Sequence, residues 1–157
     1  MAEVPQFAIV LLEQLRAAGL DQLLERHWAE VAHFKDIPLE VDWEAYAAAE
    51  VAGRLRLYTA RIAGELVGYC AYFVNFNPHY KSSLQAVQDV IFLAPEHRNA
   101  SVGGHLLLFS EGLLRAEGVQ VVYQHSKARA DLDMGPLLKR RRYELVDTIW
   151  AKRLDRS

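Results

Sequence analysis

Covalent and metallic staples are nearly absent from this sequence. A single cysteine, Cys70, stands among 157 residues, which excludes an internal disulfide. Its mid-strand position suits a small buried apolar residue better than a nucleophile. Apolar runs are no longer than strands, so no membrane span is expected. Nothing at the N-terminus reads as a signal peptide, and the expected compartment is the cytoplasm. A dominant charge is missing too. The net charge of -2 leaves no basic excess for generic nucleic-acid binding, and the run Lys139 to Arg142 suits a solvated helix end. Repeats and low-complexity segments are also lacking. What is present is ordinary: 52% hydrophobic residues and enough length for one domain, expected to span residues 1–157.

The most informative segment runs from Val90 to Leu107. An apolar strand ends at Pro95. Arg98 follows, then Asn99, Ala100, Ser101, Val102, Gly103 and Gly104, and an amphipathic helix begins. A strand feeding a small-residue loop into a helix start presents unpaired first-turn amides and a positive dipole end to an anion. Two common phosphate loops fail here. No Lys-Ser/Thr pair follows Gly104, as a Walker loop requires. The glycines are adjacent rather than spaced, and the preceding strand lies behind a hairpin, which excludes the dinucleotide fingerprint.

The rest of the chain reads as an α/β alternation. A strand or lead-in covers Phe7 to Leu12, and a helical pattern covers Leu12 to Phe34, broken near Gly19. Asp42 caps a helix from Trp43 to Ala52, closed by Gly53. A hairpin follows, Leu55 to Ile62 and Leu66 to Asn75, ending in a loop at Asn75 to Pro78. Leu84 to Leu93 is a strand, Ser101 to Glu117 a helix, and Val119 to His125 a strand. Asp131 to Arg141 is a short helix, and Tyr143 to Leu154 a final strand or hairpin.

Pro95 to Gly104 resembles the pyrophosphate loop of the Gcn5-related N-acetyltransferases (GNAT), Arg/Gln-x-x-Gly-x-Gly/Ala, with Ser101 at the first glycine. The element order resembles that family as well. The resemblance implies an α/β (α+β) fold, a mixed twisted sheet of six to seven strands flanked by about four helices, splayed between the fourth and fifth strands. It implies acetyl-CoA as co-substrate, no metal, and acetyl transfer to a primary amine by direct attack in a ternary complex. Coenzyme contacts would come from Ile91, Phe92 and Leu93 on the fourth strand and from Arg98, Asn99, Ala100, Ser101, Val102, Gly103 and Gly104. Asp131 falls at the family's last-helix asparagine.

Asp89 falls where many members carry a strand glutamate, which makes it the base candidate; the alternative is a polar residue that orients the preceding loop. Alternation puts Asp89, Ile91 and Leu93 on one face, with Gln88 and Val90 on the other. The family's acid breaks down here, because Leu138 aligns with its last-helix tyrosine when Arg142-Tyr143 is set on its Gly-Phe pair. The thiolate then leaves unaided, or Tyr123, His125 or Ser126 at the end of the fifth strand protonates it. Gln85 and Gln88, and His79, Tyr80 and Lys81 in the entry loop, are substrate-contact candidates. Trp28 and Tyr46 on the early helices are core first and pocket lining second. The steps of three between His27, Glu30 and His33 suit solvated helix or pocket wall better than a metal site.

The segment His79 to Asp89 also resembles a branch common in phage and prophage members, which leaves the acceptor open between a small molecule, a protein amine and a modified base. Nucleic acid is the less expected partner, no membrane is expected, and a homodimer is possible by analogy with the family. Two other readings stand beside the enzyme: a weakly catalytic acyl-CoA-binding regulatory module, and an acyltransferase acting on a nucleic-acid base.

Overall fold

The structure is a computed structural model and describes residues 3–98 and 101–156. It divides into two compact units that meet in sequence at His125 and Ser126. The first unit is built on strands β1 (Gln6–Val10), β2 (Leu55–Ile62), β3 (Glu65–Asn77), β4 (Tyr80–Leu93) and β5 (Val121–Tyr123). They lie side by side in chain order. The first four pair antiparallel, and β5 pairs parallel to β4.

Helices cover both faces of this sheet. On one face lie α1 (Leu12–Ala17), α2 (Leu20–Val31) and α3 (Trp43–Val51). They bury Leu15, Leu20, Leu23 and Ala49 against Leu57, Tyr69, Ala71 and Phe92. The other face carries α4 (Val102–Ala116), whose Val102, Leu106 and Leu114 pack on Tyr58, Cys70, Tyr72 and Ala86. Strand residues therefore alternate between two apolar layers, as a sheet covered on both sides requires. The caps follow from the sequence. Asp42 accepts the Ala45 N–H at 2.9 Å to start α3, and Gly53 leaves it at φ 70°.

Several expectations need correction. Among the described residues the sheet has five strands, not six or seven. No loop spans Asn75 to Leu84, because β3 runs on to Asn77 and β4 starts at Tyr80. Cross-strand pairs such as Phe76–Leu84 and Asn77–Tyr80 zip this segment into a long hairpin.

The second unit holds a single 3-10 turn at Ala130–Leu132 and the short helix α5 (Gly135–Arg140), in place of one helix from Asp131. Pro136 in the first turn accounts for the late start. Tyr143 to Leu154 carries no strand.

Candidate functional site

A bulge in β4 sets the site. Ala71 of β3 faces Val90 and Tyr72 faces Gln88, so Asp89 is an extra residue between them. The extra residue breaks the alternation. Asp89 shares the face of Val90 and Phe92, toward α2 and α3, and not that of Ile91 and Leu93, which pack toward α4. The expected grouping of Asp89 with Ile91 and Leu93 is therefore wrong.

On that face Asp89 Oδ2 accepts the Tyr46 hydroxyl at 2.5 Å. Burial, and then the Asp89 carboxylate beside it, hold the Tyr46 phenol well above its usual range. Tyr46 thus stays a neutral donor aimed at a carboxylate, and its ring stacks on Phe73 at 5.9 Å. A second polar pair lies in the same layer. His27 is buried, stacks on Phe92 at 4.7 Å, and bonds through Nδ1 to the Tyr69 hydroxyl at 2.7 Å. It is a buried residue and not part of a solvated helix face. Glu30 points elsewhere, to Arg98.

At the other edge of β4 the sheet opens. β5 pairs with Gln85, Ala86 and Val87, and the pairing stops at Tyr123. Among the described residues no strand pairs with Gln88 to Leu93 on this side. Gln88 bridges the parting strands, its Oε1 accepting the His125 N–H at 3.0 Å. Tyr123 sits at the last paired position, and His125 is exposed just beyond it. Gln85 is buried and held by Asn77 at 2.9 Å and Ser83 at 3.2 Å.

The loop after β4 carries the other coenzyme candidates. Arg98 donates from Nε to the Leu93 carbonyl at 2.8 Å and pairs with Glu30 of α2 at 2.7 Å. Beside it, Glu96 pairs with Arg26 of α2 at 2.8 Å. Asn99 and Ala100 lie outside the described residues. Ser101 precedes α4, yet its hydroxyl caps nothing; only its carbonyl starts the helix, accepting the His105 N–H at 2.9 Å. Gly103 faces Leu93, where an added Cβ would meet only ordinary contact at 3.6 Å.

The other candidates lie on the long hairpin, on α2 and in the second unit. His79, Tyr80 and Lys81 form the exposed turn and start of the β3–β4 hairpin, with the His79 N–H bonded to Asn77 Oδ1 at 2.8 Å. They are a hairpin tip and not a loop opening onto Asp89. Trp28 on α2 lies under Lys35, 5.9 Å from its ring. In the second unit, Asp131 pairs with Arg129 at 2.7 Å, and Ser126 donates to Asp133 at 3.0 Å.

Sequence reasoning missed the partnership of Tyr46 with Asp89 and that of His27 with Tyr69. Each joins residues more than forty positions apart. The apolar setting of Tyr46 was legible, but no local signal gave its hydroxyl a partner.

The sequence matches the model of the "Acetyltransferase (GNAT) family" over residues 18–134. The chain belongs to that family.

Solved structures agree in fold. Ribosomal-protein-alanine N-acetyltransferase from Brucella melitensis biovar Abortus 2308 superposes with a TM-score of 0.67 at 16% identity, covering 96% of this chain and 99% of its own. Glucosamine-6-phosphate N-acetyltransferase from Arabidopsis thaliana gives 0.70 at 9% identity, with 98% and 100% covered. A predicted acetyltransferase with acetyl-CoA from Clostridium acetobutylicum gives 0.67 at 10%, with 96% and 97% covered. No curated protein matches the sequence. Among the described residues no helix is long and apolar enough to cross a membrane.

Proposed function

We propose that this chain is a single-domain cytoplasmic N-acetyltransferase that moves an acetyl group from acetyl-CoA to a primary amine within a ternary complex. The observation that carries the reading is Asp89, set on a β-bulge where β4 parts from β5 and bonded to Tyr46. Family membership supports the donor. Ile91, Phe92 and Leu93 offer their uncovered strand edge to the pantetheine arm. The backbone of the loop from Arg98 to Gly104 takes the pyrophosphate, with Arg98 adding its charge.

The chemistry is positioning plus charge stabilisation. Asp89 takes a proton from the acceptor ammonium, directly or through a water. The amine nitrogen attacks the thioester carbonyl and the C–N bond forms; the nitrogen then gives its surplus proton to solvent water, the C–S bond breaks, and the thiolate leaves with its electron pair. Because a thiolate has a modest pKa, it departs without strong assistance; Tyr123 or His125 at the end of β5 supplies its proton. Gln85, Gln88 and Tyr46 wall the acceptor side.

The relatives named above acetylate a sugar phosphate and a ribosomal protein, which fits an acceptor that is a small-molecule or protein amine rather than nucleic acid. Replacing Asp89 by Asn tests the assignment. It should lower kcat by about 10²–10⁴-fold and leave coenzyme A affinity, read by calorimetry, unchanged. Unaltered turnover would remove Asp89 from the mechanism. Tight acyl-CoA binding with no turnover of any amine would favour a regulatory binding module instead.

A further inference from the structure

We propose that the acceptor is a monoamine with an apolar body, its ammonium at Asp89 and its body laid on the sheet face formed by Phe73, Val87, Val121 and Tyr123. The inference rests on the acetyltransferase reading, because it takes Asp89 as the group that meets the acceptor. The strand registers bring these residues together. Phe73 of β3 faces Val87 of β4, and Val87 faces Tyr123 of β5. In the next row Gln85 lies between Asn75 and Val121. Both rows are on the α3 side of the sheet, because the intervening Val74, Ala86 and Val122 pack toward α4. Asp89 stands on that same side, two residues beyond Val87.

The apolar layer under α1, α2 and α3 ends at Phe73 and Val90. Val87 belongs to an interior strand, yet it is 40% exposed, and Val121 on the next strand is 38% exposed. A valine in the middle of a sheet with helices on both faces is ordinarily covered. Here the apolar row opens onto a carboxylate, and small-molecule sites are built from apolar walls with a few placed polar groups. Spacing sets the size of what fits. Val87 lies about 7 Å along β4 from Asp89, and a row across three strands spans about 10 Å. An ammonium joined to a ring by a short methylene link matches that distance.

Charge narrows the class further. Neither row holds a charged side chain: Phe73, Val87 and Tyr123 make one, and Asn75, Gln85 and Val121 the other. Gln85 is itself held by Asn77 at 2.9 Å and Ser83 at 3.2 Å, so the far end of the face is uncharged as well. Asp42 and Glu50 at the two ends of α3 are committed elsewhere, to the Ala45 N–H at 2.9 Å and the Leu12 N–H at 2.7 Å. A second ammonium on the acceptor would rest on these rows without a counter-charge and would lose part of its hydration. The same face that attracts an apolar body therefore rejects a polyamine of equal reach.

Calorimetry of the full-length chain with coenzyme A present, which permits no acetyl transfer, tests the fit with phenethylamine, ethylamine and spermidine. Phenethylamine should bind at least about tenfold more tightly than either of the others. Val87→Asp adds a carboxylate to the row and should move the ratio toward spermidine by about tenfold or more. Val87→Thr keeps the shape of the side chain and should weaken phenethylamine while ethylamine and coenzyme A bind as before. Equal binding of phenethylamine and ethylamine overturns the proposal. So does tighter spermidine, no phenethylamine binding at millimolar concentration, or a ratio that neither variant moves. Adding acetyl-CoA separates this inference from the reading beneath it. Binding in the expected order with no amine acetylated counts against the acetyltransferase, whereas acetylation of all three amines without preference counts against the apolar face alone.

Discussion

Tyr46 donates to Asp89 from a partly buried aromatic setting, and that pair decides what the residue scale can test. A hydrogen bond to a charged acceptor is worth about 1.5–3 kcal/mol. Tyr46→Phe keeps the ring on Phe73 and removes only the hydroxyl. It should lower kcat by about tenfold or more with little change in KM for acetyl-CoA, as initial-rate kinetics would show; equal kcat would mean that the bond does not position the base. Cys70 makes a contrasting case. Complete burial pushes its thiol up to about 12 from an ordinary value near 9, partly offset by Ser110 and Tyr72. The folded state then holds this proton more tightly than the unfolded one. Its contribution is complete below about pH 9 and is lost as pH rises toward 12. At neutral pH iodoacetamide should leave Cys70 unmodified in the native protein and alkylate it in denaturant. Rapid native labelling would contradict its burial.

Elements followed the sequence wherever periodicity and caps acted locally. The hairpin strand Leu55–Ile62, the Asp42-capped helix and the long α4 all appear within a residue or so of their expected bounds. The failures are non-local. The β4 bulge depends on how two strands register, and one extra residue moved Asp89 to the opposite face. Asn75 to Leu84 reads as loop because Asn, Pro and His cluster there, but pairing across the hairpin overrides them. In the candidate site, the strand and the arginine loop before α4 were legible from their order, whereas Asp89 was singled out by the family resemblance. The hydroxyl and imidazole partners were not, since nothing local links α2 or α3 to the sheet. Gly68 illustrates the register. It faces Leu93, and an added Cβ would lie 2.9 Å from both the Leu93 side chain and the Phe92 carbonyl oxygen. A backbone oxygen cannot step aside as a side chain does. Gly68→Ala should cost about 1–3 kcal/mol, read from the urea midpoint, and an unshifted midpoint would show that the β3–β4 spacing is looser than described.

At the scale of the molecule, the sheet holds the site between two apolar layers. The two ion pairs from α2 to the loop after β4, Arg26–Glu96 and Glu30–Arg98, tie an early helix to the segment proposed to hold the coenzyme. Arg26–Glu96 is exposed and is expected to orient these elements more than to stabilise them, whereas Glu30–Arg98 is partly buried. The central claim remains amine acetylation, and free-thiol release from acetyl-CoA across a panel of primary amines tests it most directly. The account predicts release that rises with both substrates in an intersecting initial-rate pattern, depends on an added amine, and falls about 10²–10⁴-fold in Asp89→Asn. Thiol release independent of any amine, or none at all from a protein that binds acetyl-CoA tightly, would contradict it.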